Sequence, residues 1–429
     1  MVIAISIILI CILLFAGVAV PLAFGGVLMF LAWTGGYEVS GFLPTGHWKM
    51  NTVVILVIPL FILAGDIMKN GKIAAPIVEI AELILGRIRG GLSGASVIAS
   101  AMFGAISGSG AATLTCIGSV MMPHLRKARY PDGFSAALLV AASPLGLLIP
   151  PSSAQLIYAW ITQQSVLKCF LATFVPGMIV ATLLVILNLI MMRKNREITL
   201  LEPGDNLAVE FGRKGFRALP ALLMPVIILG GIYGGIMTPT EAAGVAVLYA
   251  IPVGFFVYRG LTWKLFLETL KESGVTIGVV MVMIFMVLIV SRFLIFEDIP
   301  GMAEDLIFSI SENPFVVLLM INLAMIIIGM IMDDFSGLIL SATLLLPIAK
   351  SVGMDPIHFA AVLGVNLGMG NVTPPTAPLL FLGARVTNVS VEKMLKPTML
   401  MILFAWLPTL ALTTFIPQIA LWLPELLLG

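Results

Sequence analysis

Two adjacent acids, Asp333 and Asp334, sit in a long apolar stretch at "GMIMDDFSG" (329–337). A charge inside a bilayer costs about 2.5–3.5 kcal/mol on insertion scales, so it needs a partner or water. Two readings stay open: one acid, Asp333 before Asp334, ligates a cation, or both lie at the wet mouth of a hairpin. Three more irregular stretches offer oxygens: "GAISGSGAAT" (104–113), "SPLGLLIPPSS" (143–153) and "NLGMGNVTPPTAP" (366–378). Their hydroxyls and amides belong to Ser107, Ser109, Thr113, Ser152, Ser153, Asn366, Asn371, Thr373 and Thr376, with backbone oxygens available around Gly146 and Gly370. Breaking a helix frees carbonyls on one side and N–H groups on the other, and the half-helix ends add partial charges. Carbonyls with hydroxyls suit a hard cation such as Na⁺, by the logic that gives Ca²⁺ its oxygen ligands. That places Na⁺ near Ser107, Ser109, Gly146, Asp333, Thr373 and Thr376. The freed N–H groups suit a carboxylate. For any single hydroxyl, capping a broken helix remains an equal alternative.

The elements that position these residues must be membrane helices. The chain has 429 residues, of which 60% are hydrophobic and 10% charged, with a mean hydropathy of +1.13. Soluble domains carry roughly 25% charged residues. Uncharged runs long enough to span recur throughout, and a span needs about 20 mostly apolar residues. Nothing at the N-terminus reads as a cleavable signal. The expected architecture is an all-α polytopic membrane protein. Single crossings are expected at about 2–20, 22–37, 51–68, 134–164, 170–192, 219–237, 240–258, 275–296, 357–386 and 397–424. The runs 91–123 and 314–349 are too long for one span and have flexible or polar centres, so they read as re-entrant hairpins. A turn at that depth must be buried in protein or line a cavity.

A shift of 224 positions lays Gly146 on Gly370 and Pro150–Pro151 on Pro374–Pro375. Prolines and glycines dictate backbone shape, so the match implies two structural repeats. The first is 1–192 (hairpin 91–123, broken helix 134–164). A basic linker, 193–217, leads to the second, 218–429 (hairpin 314–349, broken helix 357–386). With the N-terminus outside, 19 of the 23 lysines and arginines fall on one side, the cytoplasmic one by the positive-inside bias. Lys49, Lys168, Arg292 and Lys350 fall on the other. Five crossings per repeat then invert the second relative to the first and put both termini outside. Broken helices at a repeat interface are where secondary transporters bind ions and substrates.

Other chemistry is poorly supported. The cysteines Cys11, Cys116 and Cys169 lie in apolar segments without metal-ligand spacing, and the histidines are scattered. No HExxH, Walker A, GxGxxG or GxSxG pattern occurs. An intramembrane enzyme would need a second acidic cluster or a nearby basic set beside "MDDF", and there is none. Arg385 is ten residues past Pro375, about 15 Å along a helix, and is expected to snorkel to the interface. Asp66 and Glu241 read as span-end residues explained by capping and solvation. No nucleic-acid partner is expected.

"GAISGSGAATLTCIG", "SPLGLLIPPSS", "IMDDFSG" and "GVNLGMGNVTPPTAPLLFLGARV" resemble the large membrane subunit of tripartite ATP-independent periplasmic (TRAP) transporters, over essentially the whole chain. The resemblance implies an elevator-type, Na⁺-coupled importer of organic anions, such as sialic acid or C4-dicarboxylates, in a bacterial inner membrane. It implies a periplasmic substrate-binding protein and a small four-helix membrane subunit as partners, with this chain the unfused form. The first hairpin reads Gly-Ser-Gly-Ala-Ala where other members often carry another hydroxyl, so Ala111 offers no side-chain ligand. A stand-alone ion-coupled dicarboxylate or citrate carrier, with the same hairpins and repeats, is the alternative.

Overall fold

The structure, a computed structural model, describes residues 5, 6, 9, 10, 12, 13, 16–35, 39–85, 88–199 and 207–429. Part of the first expected crossing (2–20) and the end of the second lie outside the described residues, as do Cys11, Arg87 and positions 200–206 of the linker.

Among the described residues every regular element is helical. Eight helices among the described residues are long and apolar enough to cross a membrane, or nine if the pair Asp132–Leu148 and Ser153–Thr162, bent by 41°, forms one span. These eight include both arms of the second hairpin, Pro314–Ile331 and Asp334–Ser351. In a bilayer every backbone polar group needs a partner within the protein, which leaves helices as the default element.

The first hairpin is Gly91–Ser107 and Gly110–Lys127. Two residues turn it, Gly108 with φ +61° and Ser109 as N-cap of the second arm. The first broken helix runs Asp132–Ala142, a short turn Leu145–Leu148, a break at Pro150–Pro151, then Ser153–Thr162. Ser152 caps the last piece by accepting from Gln155 N. In the second half, Asp333 caps Asp334–Ser351, and Pro356–Gly370 and Pro378–Thr387 flank the break at Pro374–Pro375. Both proline–proline bonds are cis. The second arms of the two hairpins begin 224 positions apart, at Gly110 and Asp334.

The halves interlock. Gly110–Lys127 packs on Pro378–Thr387, and Ser153–Thr162 packs on Asp334–Ser351. Tyr158 donates to the Pro356 carbonyl at 2.6 Å and Gln155 Nε2 to the Ala360 carbonyl at 3.2 Å. Trp406 Nε1 donates to the Ala141 carbonyl at 3.1 Å. Two shorter helices flank this assembly: Ala74–Leu85 packs against the first hairpin arm, and Ile299–Ile310 against Asp334–Ser351. A long helix, Trp263–Phe296, packs on Val57–Asn70, on Val20–Gly35 and on Asp334–Ser351.

Candidate functional site

A cavity of about 560 Å³ opens where the hairpin tips meet the long helix. Ser107, Ser109 and Ser153 line it from the first half, and Asp333 and Asp334 from the second. Three helices, Gly110–Lys127, Ser153–Thr162 and Asp334–Ser351, therefore start at or beside its wall, where their N–H ends favour negative charge.

At the first hairpin tip the oxygens converge. Ser107 Oγ and Thr113 Oγ1 are 3.1 Å apart. Thr113 Oγ1 donates to the Ser109 carbonyl at 2.8 Å, and Ser107 Oγ lies 3.3 Å from that same oxygen. Ser153 Oγ donates to the Gly108 carbonyl at 2.9 Å, tying the tip to the broken helix. Gly146 closes the cluster: a Cβ there would sit 2.8 Å from both the Ser109 carbonyl oxygen and Thr113 Oγ1. Only a residue without a side chain allows this approach.

At the second tip, Asp333 Oδ2 accepts from Phe335 N at 3.0 Å as an N-cap. Asp334 Oδ1 accepts from Asn371 Nδ2, and Thr376 Oγ1 donates to the Met330 carbonyl, so two bonds fasten this tip to its broken helix. Thr373 Oγ1 donates back to the Met369 carbonyl at 2.6 Å. Gly370 lies against the Gly329 backbone, its Cβ position 2.8 Å from Gly329 Cα. Three buried oxygens here have no hydrogen-bond partner: Asp333 Oδ1, Ser336 Oγ and Asn371 Oδ1. The Ser336 hydroxyl and N–H lie beside the Asp333 carboxylate, though the hydroxyl makes no hydrogen bond of good geometry with Asp333 Oδ1. A buried acceptor without a donor costs about 1–3 kcal/mol, and more if charged. A hard cation is the chemistry this set fits.

The other expected residues stand behind the wall. Thr113, Gly146, Ser152, Asn366, Gly370, Asn371, Thr373 and Thr376 do not line the cavity. Asn366 instead donates to Asn322 Oδ1 at 2.8 Å, and Asn322 to Thr414 Oγ1 at 3.0 Å, an interior network. Arg385 is exposed and away from the cavity. Asp66 differs from its expected role. It lies inside Val57–Asn70 rather than at a cap, accepts from Ser273 Oγ at 2.7 Å and faces the cavity with Lys69 and Thr276. Among the described residues Lys69 is the only cationic side chain on that wall. Its three-residue spacing from Asp66 put both on one helix face, a signal present in the sequence.

The profile of the family described as "Tripartite ATP-independent periplasmic transporter, DctM component" matches residues 5–419. The chain belongs to this family. Its identity to the sialic acid TRAP transporter large permease protein SiaM of Vibrio cholerae is 33% over 422 residues, covering 97% of each chain. Identity to the C4-dicarboxylate TRAP transporter large permease protein DctM of Pseudomonas aeruginosa is 35% over 373 residues, covering 86% of each. Among solved structures, the Alcanivorax borkumensis YdaH transporter shares the fold, with a TM-score of 0.55 at 13% identity over 88% of this chain and 89% of that one. This TRAP large permease is thus a multi-pass membrane transport subunit, and its relatives are transporters rather than enzymes.

Proposed function

We propose that this permease couples Na⁺ to the import of a carboxylate-bearing organic anion of the sialic acid or C4-dicarboxylate type. The observation that carries the reading is the set of partnerless buried oxygens, Asp333 Oδ1, Ser336 Oγ and Asn371 Oδ1, beside a cavity edged by helix N-termini. Two neighbouring carboxylates oppose an incoming anion. A cation between them and the anion reverses that sign, so ion and substrate each raise the other's affinity. The compact oxygen cluster of Ser107, Ser109 and Thr113 beside Gly146 suits a second cation, and Thr373 and Thr376 brace the second tip. Lys69 and the N–H groups at Ser109 and Ser153 face the anion's carboxylate.

In this reading the two halves are inverted repeats, 1–192 and 218–429. The interlocked hairpins and broken helices shift together against the long helix. The setting is a bacterial inner membrane with both termini periplasmic. A small four-helix membrane subunit and a periplasmic binding protein complete the transporter, as the family description "tripartite" suggests.

The test is uptake of sialic acid or succinate into proteoliposomes holding the complete transporter, with and without a Na⁺ gradient. Uptake should require Na⁺. Uptake indifferent to Na⁺ but driven by a pH gradient would overturn the coupling.

A further inference from the structure

A second cavity, of about 350 Å³, is lined by Lys49, Arg292 and Lys350 and, among the described residues, by no Asp or Glu. These are three of the four cations that charge bias puts on the far face. Among the described residues no hydrogen bond or ion pair engages their side chains. The Lys49 ammonium is held below its ordinary pKa, first by burial and then by the Arg292 guanidinium, so the two like charges feel each other. Ser291 Oγ, buried and without a hydrogen-bond partner, lines the same cavity.

The position is as informative as the charge. Three helices line both cavities, one at each end. On Trp263–Phe296, Thr276, Val279, Val280 and Met283 face the first cavity, and Leu288, Ser291, Arg292 and Ile295 the second. On Asp334–Ser351 the change comes between Phe335 and Ile339, and on Ser153–Thr162 between Ser153 and Ile161. The gap from Met283 to Leu288 is about 7–8 Å of helix. Buried Ile157, Ile284, Val287 and Leu338 lie on the segments between.

We propose that this cavity is the opposite-side vestibule of the transport path and takes a small oxyanion, the carboxylate of the molecule to be carried, between Lys49, Arg292 and Lys350. A cleft lined by one sign of charge raises the local concentration of the opposite ion by roughly 10–10³-fold. A lipid-headgroup phosphate offers the same chemistry, and the experiment separates the two. The proposal rests on the transport reading for the identity of the anion, not for the existence of the site.

Thr343, on the cavity wall, is replaced by cysteine in the full chain in nanodiscs. Its reaction with anionic 2-sulfonatoethyl methanethiosulfonate is compared with that of the trimethylammonium analogue, with the parent chain as control. After correction for free-cysteine rates, the anionic reagent should react about tenfold faster or more. The preference should fall below about twofold when Lys49→Gln, Arg292→Gln and Lys350→Gln are combined. Equal rates, or a preference untouched by neutralisation, overturn the site. Ala342→Cys serves if Thr343→Cys does not fold. A slowing of about fivefold when phosphatidylglycerol is added to phosphatidylcholine nanodiscs would assign the cations to a headgroup and overturn the vestibule. In the complete transporter the triple variant should raise the substrate concentration for half-maximal uptake about tenfold with the maximal rate retained. An unchanged half-maximal concentration counts against the vestibule. A parent that takes up no anion overturns the transport reading, while the reagent preference still decides the anion site.

Discussion

At the first hairpin tip the hydroxyls of Ser107, Ser109 and Thr113 all find partners, whereas at the second Asp333, Ser336 and Asn371 each hold an oxygen that has none. The backbone plan is the same in both: two helical arms, an N-capped second arm, and a glycine of the broken helix pressed against the tip. Gly146 meets Ser109 and Thr113 in one half, and Gly370 meets Gly329 in the other. The chemistry differs. The first tip is neutral and closed on itself. The second carries both acids and depends on Asn371 and Thr376 from the broken helix to hold it. Similar backbone geometry thus supports a preorganised oxygen cluster on one side and a charged, donor-poor one on the other.

Removing the charge at the second tip should have the largest effect. Asp333→Asn keeps the shape and one acceptor but loses the anion. Uptake at limiting Na⁺ should fall about a hundredfold, the scale of ~2–3 kcal/mol for a contact to a charged group. An Asp333→Asn transporter with unchanged Na⁺ dependence would place the coupling ion at the first tip instead. Next comes Gly146→Ala. Its methyl would intrude on two oxygens at 2.8 Å, and overpacking of this kind costs about 1–3 kcal/mol. Uptake should drop about tenfold, and the midpoint of thermal unfolding should fall with it. A neutral Gly146→Ala would show that the first tip is loose. A double-mutant cycle on Ser107→Ala and Thr113→Ala should give a coupling of about 1 kcal/mol in uptake, within the range for residues sharing a hydrogen-bond network. Zero coupling would mean that the two hydroxyls act apart. The smallest effect is expected at the cavity wall. Asp66→Asn keeps an acceptor for Ser273, so uptake should fall only about two- to threefold, a cost below ~1 kcal/mol.

Much of this arrangement could be read from residue types. Pro150–Pro151 and Pro374–Pro375 interrupt apolar runs, and a helix cannot continue through them. The hairpin tips announce themselves by glycine with hydroxyls, or by paired acids, where a plain span would be apolar. What the sequence concealed was partnership across distance. Asp66 and Ser273 are 207 positions apart, so no local spacing linked them, and Asp66 read as a span-end residue. Asn366 looked like a site residue because it precedes the break. Its Nδ2 donates to Asn322, 44 positions away, while its Oδ1 is buried without a hydrogen-bond partner. Lys49, Arg292 and Lys350 emerged from charge bias as three exceptions. Only the packing of their helices shows that they share one cavity.

The bonds from Tyr158 to Pro356, from Gln155 to Ala360 and from Trp406 to Ala141 have a mechanical meaning. Each crosses from one half of the chain to the other, and each engages a backbone carbonyl, so none yields by a change of rotamer on the accepting side. Prising the halves apart along this seam would leave several buried polar groups without partners, at about 1–3 kcal/mol apiece. The seam behaves as a weld. A push delivered to either broken helix is handed to the other without slack, so the movement proposed above would take place at the largely apolar flank of the long helix.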